Sequence, residues 1–217
     1  MKYLKPLIAA LALTGVMSAH AEIELTVYGG IQSSPHSSVT DPDSSKGSFT
    51  AGWEGKSFDM PPYYGFRYTN WTDAEWGWNV NFVHAKAYSN DETRSVSQYK
   101  TLEFTDGANP ITLNVMRRFN KTEMGLTPYV AFGGGFAVPH VELQREGSTR
   151  KTSEFQFTGP VIDGSIGFTY PINDKLNLMT EYTMHVIRMN VKMDGEANRL
   201  KTTLITNALN VGVNYRY

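Results

Sequence analysis

The sequence has no cysteine, which excludes a disulfide framework and the lipidated amino-terminal cysteine of a lipoprotein. An excess of charge of one sign is also missing: 20 Lys and Arg stand against 21 Asp and Glu, so nothing marks nucleic acid as a partner. After Glu22 no apolar run approaches the roughly 18 residues a membrane-spanning helix needs. Helical periodicity sustained for three turns is absent too, and no Pro-rich, Ser-rich or charge-block linker divides the chain. What remains is one domain built from strands.

The opening MKYLKPLIAALALTGVMSAHA has basic Lys2 and Lys5, an apolar run from Leu7 to Val16, and Ser-Ala-His-Ala as a small-residue cleavage site. It predicts a cleaved signal peptide over 1–21 and a mature domain over 22–217. Without those two lysines the mature part carries 18 basic against 21 acidic residues.

Period-two alternation then runs through the chain. In NALNVGVNYRY at the carboxyl end, Leu209, Val211, Val213, Tyr215 and Tyr217 share one face, and Ala208, Asn210, Gly212, Asn214 and Arg216 the other. Eight strands are predicted near 22–33, 62–71, 76–88, 109–119, 127–142, 156–171, 175–191 and 203–217. Their connections alternate between short turns (72–75, 120–125, 171–174) and long segments (34–61, 89–108, 143–155, 192–202). That asymmetry, with aromatics such as Trp71, Trp76, Tyr170 and Tyr215 near the expected interfaces, predicts an all-β fold: an eight-stranded antiparallel transmembrane barrel in the outer membrane of a Gram-negative bacterium. A soluble periplasmic barrel or sandwich would invert the alternation; the signal peptide, the loop asymmetry and the terminal aromatic strand favour the membrane. That last strand is also the kind of signal by which barrel-assembly machinery recognises its clients. Eight strands leave an interior that side chains fill, so Glu24, Arg67, Arg118, Asp163, Glu181 and Arg216 are expected to pair as a plug.

Four mature histidines, His36, His84, His140 and His185, fall toward the outer ends of alternate strands. His36 and His185 have interior parity; His84 and His140 have lipid-facing parity. In GFAVPHVEL, Pro139 lacks a ladder donor, so a bulge near Val138-Pro139 is expected to turn His140 and Glu142 inward, and another near Phe82-Val83 to do the same for His84 and Lys86. The four imidazoles would then converge at the mouth as ligands for a divalent metal; the alternative is four separate interfacial histidines. The aromatic-rich first loop, with Trp53 and Glu54, is expected to form an ordered lid or a headgroup contact.

Several stretches together resemble the outer-membrane lipid A oxidase family described from rhizobia: LTVYGGIQSSPHSSV, FTAGWEGKSFDMPPYYGFR, VHAKAY, FTDGANPITLN and PHVE. The resemblance implies an enzyme that oxidises the proximal glucosamine of lipid A to 2-aminogluconate, with molecular oxygen as co-substrate. On that reading His84, His140, Glu142 and His185 are the catalytic candidates. Lys86, Trp53, Glu54 and Asn109 are expected to hold the substrate, with Lys86 on a phosphate. The chain has no flavin or nicotinamide fingerprint, so a histidine-rich metal site is the simplest route for electrons. The alternative is a non-enzymatic small barrel, structural or binding small apolar solutes, like the OmpW or OmpA group. A lipid A deacylase or acyltransferase ranks last, because only His36-Ser37-Ser38 offers a Ser/His pair.

Overall fold

The computed structural model describes residues 22–217; the expected signal peptide lies outside them. In chain order the first strands are β1 (Glu22–Ser33), β2 (Ser37–Thr40), β3 (Ser48–Ala51), β4 (Trp53–Glu54), β5 (Tyr64–Trp71), β6 (Trp76–His84) and β7 (Ala87–Ser89). A short helix α1 (Asp91–Ser97) leads to β8 (Tyr99–Phe104), β9 (Pro110–Arg118), β10 (Thr127–Ala137), β11 (His140–Arg145), β12 (Lys151–Phe155), β13 (Thr158–Pro171), β14 (Leu176–Lys192) and β15 (Arg199–Arg216).

Eight of these strands, in the order β1-β5-β6-β9-β10-β13-β14-β15, form an antiparallel ladder that closes when β15 pairs with β1 from Glu24↔Arg216 to Ser33↔Asn207. They correspond to the eight predicted strands, except that those predicted over 76–88 and 127–142 leave the barrel at His84 and Ala137 and run on into the cap as β7 and β11. Closure satisfies every edge, as backbone polar groups in a bilayer require. Apolar side chains such as Leu25, Val27, Ile31, Phe132, Ile162, Ile166, Leu209 and Val211 stay exposed on the outer wall, whereas Thr26, Arg67, Asn79, Asn114, Glu181 and Asn210 are buried inside.

Two of the three short turns are built alike. Asp73 Oδ1 accepts from the N–H of Glu75 at 2.8 Å and of Trp76 at 2.7 Å, and Asn173 Oδ1 accepts from Lys175 and Leu176, both at 2.9 Å. The two donors, Trp76 first, hold the Asp73 carboxyl below the usual carboxylate range. A depressed folded pKa stabilises above the unfolded value and fades as pH falls through the folded one. Amide-exchange protection at Trp76, corrected for intrinsic rates, should therefore decline below about pH 4; in Asp73→Asn, which keeps the acceptor without the charge, that dependence should vanish.

The interior carries the predicted plug. Arg67 and Glu181 form two parallel bonds of 2.7 and 2.6 Å, and Glu181 also accepts from Tyr129 at 2.8 Å and Thr183 at 2.6 Å. Arg67 lies over the Tyr28 ring, 5.4 Å from its centroid. Gly65 makes room for that ring, since a Cβ there would come within 2.1 Å of it. Below the plug a cavity of about 450 Å³, lined by Glu22, Glu24, Arg118 and Arg216 among others, opens to the turn side.

The long segments expected as loops fold into a cap. A second sheet, β12-β11-β8-β7-β4, stands above the barrel, and β2 and β3 extend the barrel sheet beside β15. Trp53, Leu102, Phe104, Val141, Leu143, Met189, Val191 and Leu200 form one buried core between them. Within 48–58, a stretch the sequence leaves open between loop and strand, β3 and β4 thus supply strands to both sheets.

Candidate functional site

His84 ends β6, and the register with β5 runs without a break to Tyr64↔His84. The expected bulge before it is not there. His84 keeps its outer parity and stacks on Tyr64, with ring centroids 5.0 Å apart and an interplanar angle of 16°. Its Nδ1 lies 3.3 Å from Asn109 Oδ1, and Nε2 is buried without a partner. Asn109 in turn donates to the carbonyls of Asp106 at 2.7 Å and Val138 at 3.1 Å, which ties the 105–109 turn to the end of β10. Gly107 has φ +86°, and a Cβ on it would lie 2.4 Å from Asn109 Oδ1 and 2.7 Å from His84 Nδ1. Only glycine fits where that turn crosses the histidine.

The Pro139 expectation is corrected in a similar way. The register shift in this region falls at Phe136/Ala137, where β13 skips Gly159, and it does not re-aim the residues that follow. β10 stops at Ala137, two residues before Pro139, and the chain passes into the cap sheet with its alternation intact: Val141 and Leu143 are buried, whereas His140 and Glu142 face away from the core. His140 Nδ1 lies 3.2 Å from Thr105 Oγ1, 3.6 Å from Asp106 Oδ2 and 4.0 Å from Glu142 Oε1, and Lys151 pairs with Glu142 at 2.8 Å. Across the strands Glu142 stands opposite Glu103. Burial first, and then the Glu142 charge, push the Glu103 carboxyl up.

Asp106 and Asn109 therefore join the two histidines at one place on the outer wall. Pro61, Tyr64, Phe82, Ile111, Val138 and Phe155 line a groove of about 510 Å³ there, with His84, Asp106 and Asn109. The groove is apolar toward the bilayer and polar at the rim.

The other expected site residues lie elsewhere. His185 is inside the barrel, its Nε2 3.5 Å from Asp163 Oδ1 and its Nδ1 3.3 Å from Thr206 Oγ1. His36 is exposed beside Gly52 and Asn90. The four histidines do not converge, and among the described residues no group of three or more His, Asp or Glu side chains is placed to hold a metal ion. The donor set does not fit the expected metal centre. Lys86 is fully buried, with its ammonium donating to the Asp59 carbonyl at 2.6 Å, and burial pulls its pKa down; it is not open to a lipid phosphate. Trp53 is in the cap core, bonded to Ser37 at 2.8 Å, and Glu54 is exposed 3.9 Å from Lys56. Asp106, absent from the expected set, is the carboxylate nearest His140 and lines the groove with His84; its signal was the Asp-Gly pair, a turn marker.

A closed eight-stranded barrel with a lipid-facing apolar wall, a filled interior and a cap on the long-loop side is a small outer-membrane barrel protein. The model of the outer membrane protein β-barrel domain matches residues 7–217, and the chain belongs to that family. Among solved structures it is similar to OprG from Pseudomonas aeruginosa (TM-score 0.51, 13% identity, 92% of this chain and 96% of the other). It is also similar to Neisserial surface protein A (0.46, 14%, 91% and 97%) and to Ail of Yersinia pestis (0.43, 12%, 91% and 99%). No curated protein matches.

Proposed function

We propose that this barrel engages an outer-leaflet glycolipid at the wall groove and, as the resemblance implies, oxidises the proximal glucosamine of lipid A. The observation that carries the reading is the polar His84–Asn109–Asp106–His140 cluster at the rim of an apolar groove on the bilayer-facing wall. A glycolipid has the same division, with acyl chains below and sugar above, whereas the interior cavity opens on the turn side and is lined by charged residues such as Glu22, Glu24, Arg118 and Arg216. The reaction balances as sugar aldehyde plus O₂ plus H₂O giving the aldonic acid plus H₂O₂, and it needs a free anomeric hydroxyl. His140, beside two carboxylates, would accept that proton; His84, buried under Tyr64 and beside Asn109, would position the 105–109 turn that carries Asp106. No electron-transfer step follows from the residues present.

The second reading is a non-enzymatic barrel, favoured by the lack of a three-donor metal group among the described residues. Mass spectrometry of lipid A from cells expressing the protein separates the two. A gain of one oxygen, lost in His140→Ala, reduced at least tenfold in His84→Ala and absent without oxygen, supports the oxidase. Unchanged lipid A around a correctly inserted barrel leaves the non-enzymatic reading.

A further inference from the structure

We infer that the outer end of the β14–β15 ribbon is a docking face for the phosphates of lipid A, separate from the groove and on the far side of the barrel. On β14 the outward residues are Leu178, Thr180, Tyr182, Met184 and Val186, followed by Arg188, Asn190 and Lys192. On β15, read toward the cap, they are Tyr215, Val213, Val211, Leu209, Asn207 and Ile205, followed by Thr203, Lys201 and Arg199. Each stretch, apolar but for Thr180 and for Asn207, whose amide oxygen accepts from Tyr182 at 2.8 Å, has about the 9–11 residues a tilted strand needs to cross the hydrocarbon. The switch to cations therefore falls at headgroup height on both strands.

The ladder sets Arg188 opposite Thr203, Asn190 opposite Lys201 and Lys192 opposite Arg199, so the four cations form one zigzag on one face. All four are exposed, and among the described residues none of them makes an ion pair. Elsewhere Arg67, Arg117, Arg118, Arg145, Lys151 and Arg216 have carboxylate partners, and cations without one among the described residues, such as Lys46, Lys121 and Lys175, are scattered; this ribbon gathers four on one face. A shallow groove of about 510 Å³ runs between Arg188 and Lys201, with Ser38, Thr40 and Thr203 supplying hydroxyls. Two cations flanked by hydroxyl donors suit a phosphate monoester, and an acyl chain attached to it would lie along the apolar residues directly below. The face would take the place of the divalent cations that otherwise neutralise such phosphates. The proposal rests on the charge and the membrane level of this ribbon and not on the groove or its reaction.

The test is native mass spectrometry of the full mature barrel in detergent, titrated with bis-phosphorylated lipid A, with the same lipid A stripped of phosphate, and with phosphatidylglycerol. The wild type should retain the phosphorylated form on the order of tenfold better than either of the others. R188Q/K201Q should lose on the order of tenfold, and the control K121Q/K175Q at the turn end should lose nothing. These surface substitutions leave the core untouched, and unchanged heat-modifiable gel mobility verifies the fold. Equal retention of the three lipids, or of lipid A by wild type and R188Q/K201Q, would overturn the assignment.

Discussion

Glu181→Ala should cost about 3–5 kcal/mol of folding free energy, because it strands the Arg67 guanidinium in the barrel interior without its carboxylate. Arg67 is 5% exposed and Glu181 1%, so the slight contact of Arg67 with the turn-side cavity cannot replace a bidentate carboxylate. The expected cost belongs to the unpaired charge more than to the pair. The double variant Arg67→Met with Glu181→Leu should therefore recover most of the loss. Urea unfolding of the barrel in lipid vesicles measures both. A double variant as weak as Glu181→Ala would mean that the ion pair itself, with its Tyr129 and Thr183 bonds, stabilises the barrel.

Phe104→Ala should cost a similar amount, about 3–5 kcal/mol from lost burial and the cavity left behind, but in a different part of the molecule. Phe104 is fully buried and packs on Trp53, ring centroids 5.8 Å apart, so it joins strands β8 and β4 of the cap to the core they share with β14 and β15. Protease should cut the cap within 34–61 or 89–108 while heat-modifiable gel mobility shows the barrel still closed. Loss of both together would make cap and barrel one cooperative unit.

The barrel was legible because its strands are long and half-buried, so that period-two alternation persists over 8 to 18 residues. The cap was not. Its strands run from 2 to 6 residues, too short for a period to declare itself, and the local hairpins β2–β3 and β11–β12 are joined into the cap by the distant pairings β4–β7, β8–β11 and β2–β15. The helix α1 had a local signal in Asn90, whose side chain accepts from Thr93 at 2.9 Å, with Asp91 and Glu92 in the first turn; seven residues give no amphipathic pattern.

At the site, plain alternation outperformed the added bulges. Parity alone puts His84 and His140 on the outer side, and there they stand; the inward turn was invoked to bring four histidines together. Asp106 shows the limit of spacing arguments, since it reaches His140 only because the 105–109 turn bonds to β10 and β11 through Val138 and His140. Such a juxtaposition is tertiary and has no one-dimensional signature.

The seam between β1 and β15 joins the two ends of the described chain, whereas every other barrel seam joins strands that are successive along the barrel path. Its closure entropy is the largest of the eight, although it grows only logarithmically with loop length. Zipping it is thus the natural last event, after the seven other seams are in place. Until then β1 presents a row of unsatisfied backbone donors and acceptors that any extended peptide can capture. Closing this one seam is the step that removes both free edges of the wall at once.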